Sequence, residues 1–391
     1  MQAEARANLW RIPLVRFALS LPFMTAVFVP FFVDWGGLSL PWALSLNAVF
    51  LVSVFLLEVP TGSITDHFGR RGALLLGGLL GAVGSGVMVS TPRFEAFVLG
   101  EVLMATGYAL ASGADGALYY DSLVVLGRRS EAPQAFSRLQ SVKLAGIVVA
   151  SLIGSAVADA WGLRAPWVMM VGSYLLAAGL ALGLHEMGPV EKSPATEGPS
   201  LWIQIGRGLA LLRREPGVRR LVANLVGTNS VAFTIIWLYQ PRLEELGVPL
   251  WAFGWVHAAL ALGQIAVLVT IDRWIGLLGS SRRFLALTAL GPVVGFALLA
   301  IASEPVVTVL GVLLVTATGL TRAPMLAGLI THHAAKDERA TVLSTVSMFR
   351  TLGSAAINPL VGILGDRSLP LTFALLAGLA LLVAVGTRTR D

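Results

Sequence analysis

The sequence predicts an all-α polytopic membrane protein, with twelve transmembrane helices in two six-helix bundles and both termini in the cytoplasm. Three observations carry that prediction. Apolar runs of roughly 20 residues recur from end to end, each long enough to cross a ~30 Å hydrocarbon core as a helix. Basic residues fall on alternate loops, and one polar stretch divides the chain into similar halves. Of the 391 residues 56% are hydrophobic and only 13% charged, whereas a soluble domain carries about 25% charged residues. The alternating strand pattern of a membrane barrel is absent from the sequence.

Helices are expected at about 12–34, 39–64, 70–90, 94–124, 134–160 and 165–186 in the first half. Six more are expected at about 216–240, 250–274, 282–302, 304–332, 338–365 and 369–388. The opening MQAEARANLWR lacks the small-residue cleavage site of a signal peptide, so the first span is read as retained. Gly36-Gly37 with Pro41 ends that span and starts the next, and Thr91-Pro92 separates the third from the fourth. Gly162 with Pro166, Glu304-Pro305 and Pro370 mark further breaks. Pro22, Pro30, Pro324 and Pro359 interrupt spans, which are expected to bend there.

Orientation follows from the basic residues. With the N-terminus inside, the inner segments hold about twenty Arg and Lys, and the outer loops hold Arg93, Arg164, Arg242 and Arg367 alone. This asymmetry also accounts for the net charge of +6 without nucleic acid as a partner. Trp35, Trp42, Trp161, Trp167, Trp251 and Trp255 fall near outer helix ends, and Trp10, Trp202 and Trp274 near inner ones, an interfacial belt. Only Lys143, Lys192 and Lys336 are lysine among 28 basic residues, a bias of GC-rich bacterial genomes. The expected location is therefore a bacterial cytoplasmic (inner) membrane.

GPVEKSPATEGPS (188–200) is the one long polar stretch and reads as a linker. WIQIGRGLALLRR (202–214) alternates apolar and basic positions, as a helix lying on the inner leaflet would; an inward extension of the seventh helix is the other reading. The expected organisation is an N-terminal bundle over 1–187, a linker with an amphipathic helix over 188–215, and a C-terminal bundle over 216–391. The halves share a faint repeat. VKLAG (142–146) aligns with FRTLG (349–353), matching Gly146 with Gly353, and ATG (105–107) aligns with ATG (317–319). Such a parallel repeat is a device of one large transporter class.

Several function classes are excluded or left without support. The absence of cysteine removes disulfides, thiol catalysis and Cys-ligated metals. No GxxxxGK[ST] phosphate loop, nucleophile triad or zinc motif occurs. His332-His333 reads as a solvated helix end, so no metal site is expected. The chain is not expected to be an enzyme or to carry a cofactor.

Charge concentrates in GSITDHFGRRGALLLG (62–77), in the loop between the second and third helices. Gly62, lacking a side chain, would admit a close neighbouring helix. Gly69 would permit a tight turn, and Asp66 would be stabilised by a helix N-terminus. The spacing Gly62, Asp66, Gly69, Arg70, Arg71, Leu74 closely resembles the signature GxxxDxxGRRxx[LI] of the major facilitator superfamily. EVPTG (58–62) and SGADGALYYDSL (112–123) look like a broad group of bacterial multidrug and efflux permeases. The chain departs from the superfamily's drug–proton antiporters: Leu103 stands where they often have an arginine four residues before Gly107, and helix five has no Gly-Pro pair. The resemblance implies the superfamily's two-bundle fold, with Asp66 facing the start of helix eleven and Arg70 meeting an acid at the inner end of helix four. Asp121 is the candidate acid. With Gly62, Gly69 and Arg71, these residues would form a latch that gates conformation without touching substrate.

Ionisable residues inside spans are costly and point to function. The deep ones are Arg16, Glu58, Glu101, Asp115, Lys143, Arg322 and Arg350. Depth invites the pairs Arg16 with Glu58 and Asp115 with Lys143. As proton-coupling candidates the acids rank Asp115, then Glu58, then Glu101. In the superfamily helices one, four, seven and ten line the cavity. That gives Arg16, Phe23, Phe28, Phe31, Tyr108, Tyr119, Asn229, Phe233, Trp237, Gln240, Arg322 and Met325 as cavity candidates, together with Lys143 and Arg350. Aromatic and apolar walls suit lipophilic ligands.

The expected function is secondary active transport of small amphipathic organic compounds by alternating access, as proton-coupled efflux driven by the proton gradient. Its partners would be a small-molecule substrate, protons and the lipid bilayer, with the protein a monomer. One alternative is import or facilitated diffusion of a polar or anionic metabolite at a cationic site. Another is a non-transporting lipid scramblase or sensor on the same fold.

Overall fold

The computed structural model describes residues 1–188, 206, 210, 212–333 and 339–387, and all regular structure among them is helical. Among the described residues ten stretches are long and apolar enough to cross a membrane. The expected linker and amphipathic helix lie largely outside the described residues. Contacts divide the chain into two compact units. The first comprises residues 1–37, 49–198 and 250–255, and the second 38–48, 199–249 and 256–391.

In the first unit, α1 (Gln2–Leu19) starts well before the expected first span and stops short of its end. Pro22 explains the stop, because the residue before a proline is driven out of helical geometry. The chain resumes as α2 (Thr25–Trp35), whose last turn, Phe31–Trp35, is a π-helix. α3 (Leu40–Met88) runs 49 residues and is broken only at Gly69. α4 (Phe94–Ala111) and α5 (Ala114–Val125) are separated at Gly113, whose φ of 83° lies in the left-handed region that suits glycine. α6 (Ala132–Trp161) and α7 (Ala165–Leu182) complete the unit. Phe28, Phe31, Phe32, Phe97 and Trp167 are buried in one aromatic cluster, with Phe31 and Trp167 ring centroids 5.0 Å apart.

The second unit contains α8 (Pro216–Phe233), α9 (Ile235–Glu245), α10 (Leu250–Val269), α11 (Ile271–Leu278) and α12 (Ser281–Ile301). It continues with α13 (Pro305–Val315), a π turn at Thr316–Leu320, and α14 (Arg322–His333). α15 (Arg339–Arg367) is a 29-residue helix and α16 (Leu369–Gly386) closes the chain. The single helix expected over 304–332 is therefore interrupted. Two helices change unit along their length. The first turns of α3 belong to the second unit, where the Leu40 N–H donates to Asp366 Oδ1 at 3.2 Å and Asn358 Nδ2 donates to Asn47 Oδ1 at 2.8 Å. The first turns of α10 belong to the first unit, where Ser155 Oγ donates to the Trp251 carbonyl at 3.0 Å.

Both units contain glycines at close helix contacts. A β-carbon on Gly84 would stand 2.9 Å from the Gly100 carbonyl oxygen, and one on Gly295 would stand 2.8 Å from that of Gly311. Gly146 packs on the Ser20 carbonyl in the first unit, and Gly353 on Ser230 in the second. Small residues let helix backbones approach closely inside each unit, and Gly146 and Gly353 do so at positions the repeat matches.

Candidate functional site

The signature loop is built around a break in α3. Gly69 adopts φ 77° and ψ 167°, a region open essentially to glycine alone. The break restarts the helix at Arg70 and leaves its first N–H groups without intrahelical partners. Glu186, just beyond α7, supplies acceptors: its Oε1 takes the Arg70 N–H at 3.0 Å and its Oε2 the Arg71 N–H at 2.9 Å. A carboxylate there also suits the positive end of the helix. Arg71 Nη2 returns to the Leu182 carbonyl at 2.8 Å. Arg70 forms an ion pair with Asp121 near the end of α5, the partner expected for it. The Asp66 side chain, and the start of α15 that it was expected to face, lie outside the described side chains. The expected close approach at Gly62 is not found among the described residues, none of which comes within 4 Å of where its β-carbon would stand. The close approach to a neighbouring helix falls further along α3, at Gly77 and Gly84.

A second centre lies between α1 and α5. Arg16 Nη1 donates to Asp115 Oδ2 at 2.8 Å, with the Asp115 side chain 4% exposed. The break at Gly113 sets Asp115 in the first turn of α5, where the helix dipole favours an anion. Its Oδ1 accepts the Gly116 N–H at 2.8 Å. The pairing differs from that expected from depth. Arg16 meets Asp115 and not Glu58, and Lys143 has no ion pair among the described residues. Depth alone did not specify which faces of α1, α5 and α6 meet. Glu58 is exposed, while Glu101 is buried in α4 with Oε1 lacking a hydrogen-bond partner.

The remaining cavity candidates are placed unevenly. Phe23 and Phe28 are buried in the first unit, Phe28 edge-on to Phe32 at 4.8 Å. Tyr108 is 49% exposed beside Phe50, and Tyr119 is buried. In the second unit Asn229, Phe233, Met325 and Arg350 are half-buried, and Trp237 and Gln240 are buried. Arg350 has no ion pair among the described residues. Arg322 is 2% exposed and is held by neutral groups. It donates to the Leu285 carbonyl, to Thr288 Oγ1 at 3.2 Å and to Asn224 Oδ1 at 2.7 Å. Asn224 in turn donates to Thr387 Oγ1 at 2.7 Å. Asn8 is the counterpart in the first unit, donating to Ser122 Oγ at 3.1 Å and to the His185 carbonyl at 2.8 Å.

Sequence reasoning missed Glu186 and the buried pair of Tyr239 with His257, whose Oη and Nδ1 are 3.1 Å apart. A lone acid in LHEMGP, at a helix end, was the only signal for the first. A histidine inside an apolar span was the signal for the second.

The sequence pattern of the Major Facilitator Superfamily matches residues 14–356. Multidrug resistance protein MdtH of Proteus mirabilis is 24% identical over 245 residues, 62% of this chain and 56% of that protein. Facilitated glucose transporter member 12 of solute carrier family 2 from Danio rerio is 29% identical over 140 residues, 36% of this chain and 22% of that one. The chain thus spans less than two thirds of the length of these curated relatives. Among solved structures, the nucleoside transporter NupG superposes with a TM-score of 0.80 at 13% identity, covering 98% of both chains. The POT family transporter PepTSo superposes with a TM-score of 0.72 at 14% identity, covering 99% of this chain and 97% of that one. At such identities the likeness is one of fold.

Proposed function

The chain belongs to the Major Facilitator Superfamily and is a transporter of that kind, and on that premise we propose that it exports small amphipathic organic compounds by proton-coupled alternating access. The observation that carries this reading is the Arg16–Asp115 pair between α1 and α5, whose carboxylate is buried. A proton arriving at Asp115 cancels its charge and frees the Arg16 guanidinium, so protonation and side-chain rearrangement become one event. Low dielectric makes that event consequential, because the freed cation has lost a partner that water would otherwise replace. The Arg70–Asp121 and Glu186 contacts hold the signature loop in one arrangement and serve as the conformational latch. The likeness to a multidrug resistance protein is what supports export in this reading. In this reading the protein works as a monomer in a bacterial inner membrane with both termini inside, and the proton gradient is its energy source.

A second reading, transport of an anionic metabolite, is favoured by Lys143 and Arg350, half-buried within helices and lacking ion pairs among the described residues. Proteoliposomes with an imposed pH gradient separate the two, screened with cationic dyes and with organic anions. Gradient-driven movement of dyes supports export, and movement of anions alone supports the second reading. Asp115→Asn is expected to abolish gradient-driven accumulation while sparing substrate counterflow. If Asp115→Asn, Glu58→Gln and Glu101→Gln all still concentrate substrate, coupling through these acids is wrong.

A further inference from the structure

A pocket of about 240 Å³ opens between the start of α1, the end of α5 and the start of α6, away from the Arg16–Asp115 pair. Three guanidiniums line it, those of Arg6, Arg128 and Arg138, against the single carboxylate of Glu131. Arg128 is already engaged: its Nε and Nη2 both reach Glu131, each at 2.7 Å. Arg6 and Arg138 are exposed and make no hydrogen bond or ion pair among the described residues. Two planar forks therefore remain open toward one cavity. The Gln134 amide adds a neutral donor, and Trp10, 58% exposed, sets an indole at the rim.

We propose that this pocket binds a phosphate-bearing anion, with Arg6 and Arg138 as its two forks. A neutral amphipathic compound would leave both guanidiniums unmatched, and a single carboxylate would fill only one of them. A phosphate offers enough oxygens to engage both, and the guanidinium fork matches its geometry. The volume lies below the ~300 Å³ at which pockets for drug-sized ligands begin, so the pocket suits a headgroup better than an exported compound. The exposed indole beside the arginines matches the membrane interface, where tryptophan concentrates. Charge asymmetry between loops would account for arginines here, but not for Arg6 and Arg138, without hydrogen bond or ion pair among the described residues, converging on a cavity with an engaged third.

The anion could be the headgroup of a phospholipid or a free organophosphate. Full-length protein in detergent micelles would be titrated with dioctanoyl phosphatidylglycerol and, separately, with glycerol 3-phosphate. Arg6→Gln/Arg138→Gln would be compared with Arg219→Gln/Arg220→Gln, which removes two exposed arginines elsewhere. The first pair is expected to weaken phosphatidylglycerol binding about tenfold or more, and the second to change it less than about twofold. Thermal midpoints of both variants should match the wild type, because all four arginines are exposed and neither Arg6 nor Arg138 makes a hydrogen bond or ion pair among the described residues. Glycerol 3-phosphate binding that is lost in the same variant identifies a soluble organophosphate. Lipid binding without glycerol 3-phosphate binding identifies the headgroup in its membrane. Equal weakening by both variants, no weakening by either, or no binding of either probe to the wild type overturns the proposal.

Discussion

The carboxylate of Glu186 lies 2.9 Å from where a β-carbon on Gly69 would stand, closer than such contacts allow. Gly69 is thus required by a backbone region that other residues avoid, and its missing side chain also leaves the space that the Glu186 carboxylate approaches. The freed N–H groups of Arg70 and Arg71 hold the carboxylate in that space. A signature glycine, the restart of a helix and an acid about a hundred residues away in sequence are parts of one device.

Gly69→Ala is accordingly expected to cost about 1–3 kcal/mol of stability from backbone strain and to displace Glu186. Gly62→Ala, at a helical position with open space around it, should be neutral or mildly stabilising, because alanine favours a helix by up to about 1 kcal/mol over glycine. Thermal unfolding of the purified protein in detergent checks both. A similar loss from the two substitutions would show that the break at Gly69 has no special status.

The Arg16–Asp115 pair makes a prediction about stability as well as transport. Removing one member of a buried pair strands the other and costs about 3–5 kcal/mol. The Arg16 side chain is 23% exposed, which places Asp115→Asn toward the lower end of that range. Arg16→Gln/Asp115→Asn should recover much of the loss, since no charge is then left alone. A double-mutant cycle on unfolding midpoints reads the coupling directly, and additive single effects would mean that the two side chains do not support each other.

Arg322 tests a different kind of buried cation, one held by neutral acceptors. Asn224→Ala removes the acceptor of one Nη2 bond and also the contact to Thr387. A loss of about 1–3 kcal/mol is expected, the cost of leaving a buried donor unsatisfied. Asn224→Ala/Arg322→Met should be less destabilised than Asn224→Ala, because the unsatisfied donor has gone. If Asn224→Ala unfolds at the wild-type midpoint, water or another group already serves Arg322.

The long-range order of this chain was partly legible and partly hidden, for physical reasons. Apolar runs and their Gly and Pro breaks placed nearly every helix, since crossing a hydrocarbon core sets length and composition together. The Arg70–Asp121 pair was expected from the signature loop, and the structure contains it. Which acid meets Arg16 was not legible, because depth along a span says nothing of rotation about its axis. Glu186 was hidden for a related reason: its partners are backbone N–H groups, which carry no mark in the sequence. The interruptions at Pro22 and at Thr316–Leu320 also differ in legibility. A proline announces the first, whereas TATGL contains no residue that forces a π turn.

The glycine pairs test whether the two halves repeat in packing as well as in sequence. In the first unit a β-carbon on Gly84 would meet the Gly100 carbonyl at 2.9 Å and the Met104 N at 3.0 Å, both backbone atoms that cannot swing aside. In the second, one on Gly295 would meet the Gly311 carbonyl at 2.8 Å and the Val315 Cγ2 at 2.6 Å. Gly84→Ala and Gly295→Ala should therefore push their helix pairs apart, each costing about 1–3 kcal/mol as overpacking does. Gly86→Ala is the matched control, two residues along the same helix with nothing within 4 Å, and should unfold at or above the wild-type midpoint. Comparable losses at positions 84 and 295 would make close helix approach a shared structural requirement of both halves. Tolerance of Gly295→Ala alongside intolerance of Gly84→Ala would restrict that requirement to the first unit.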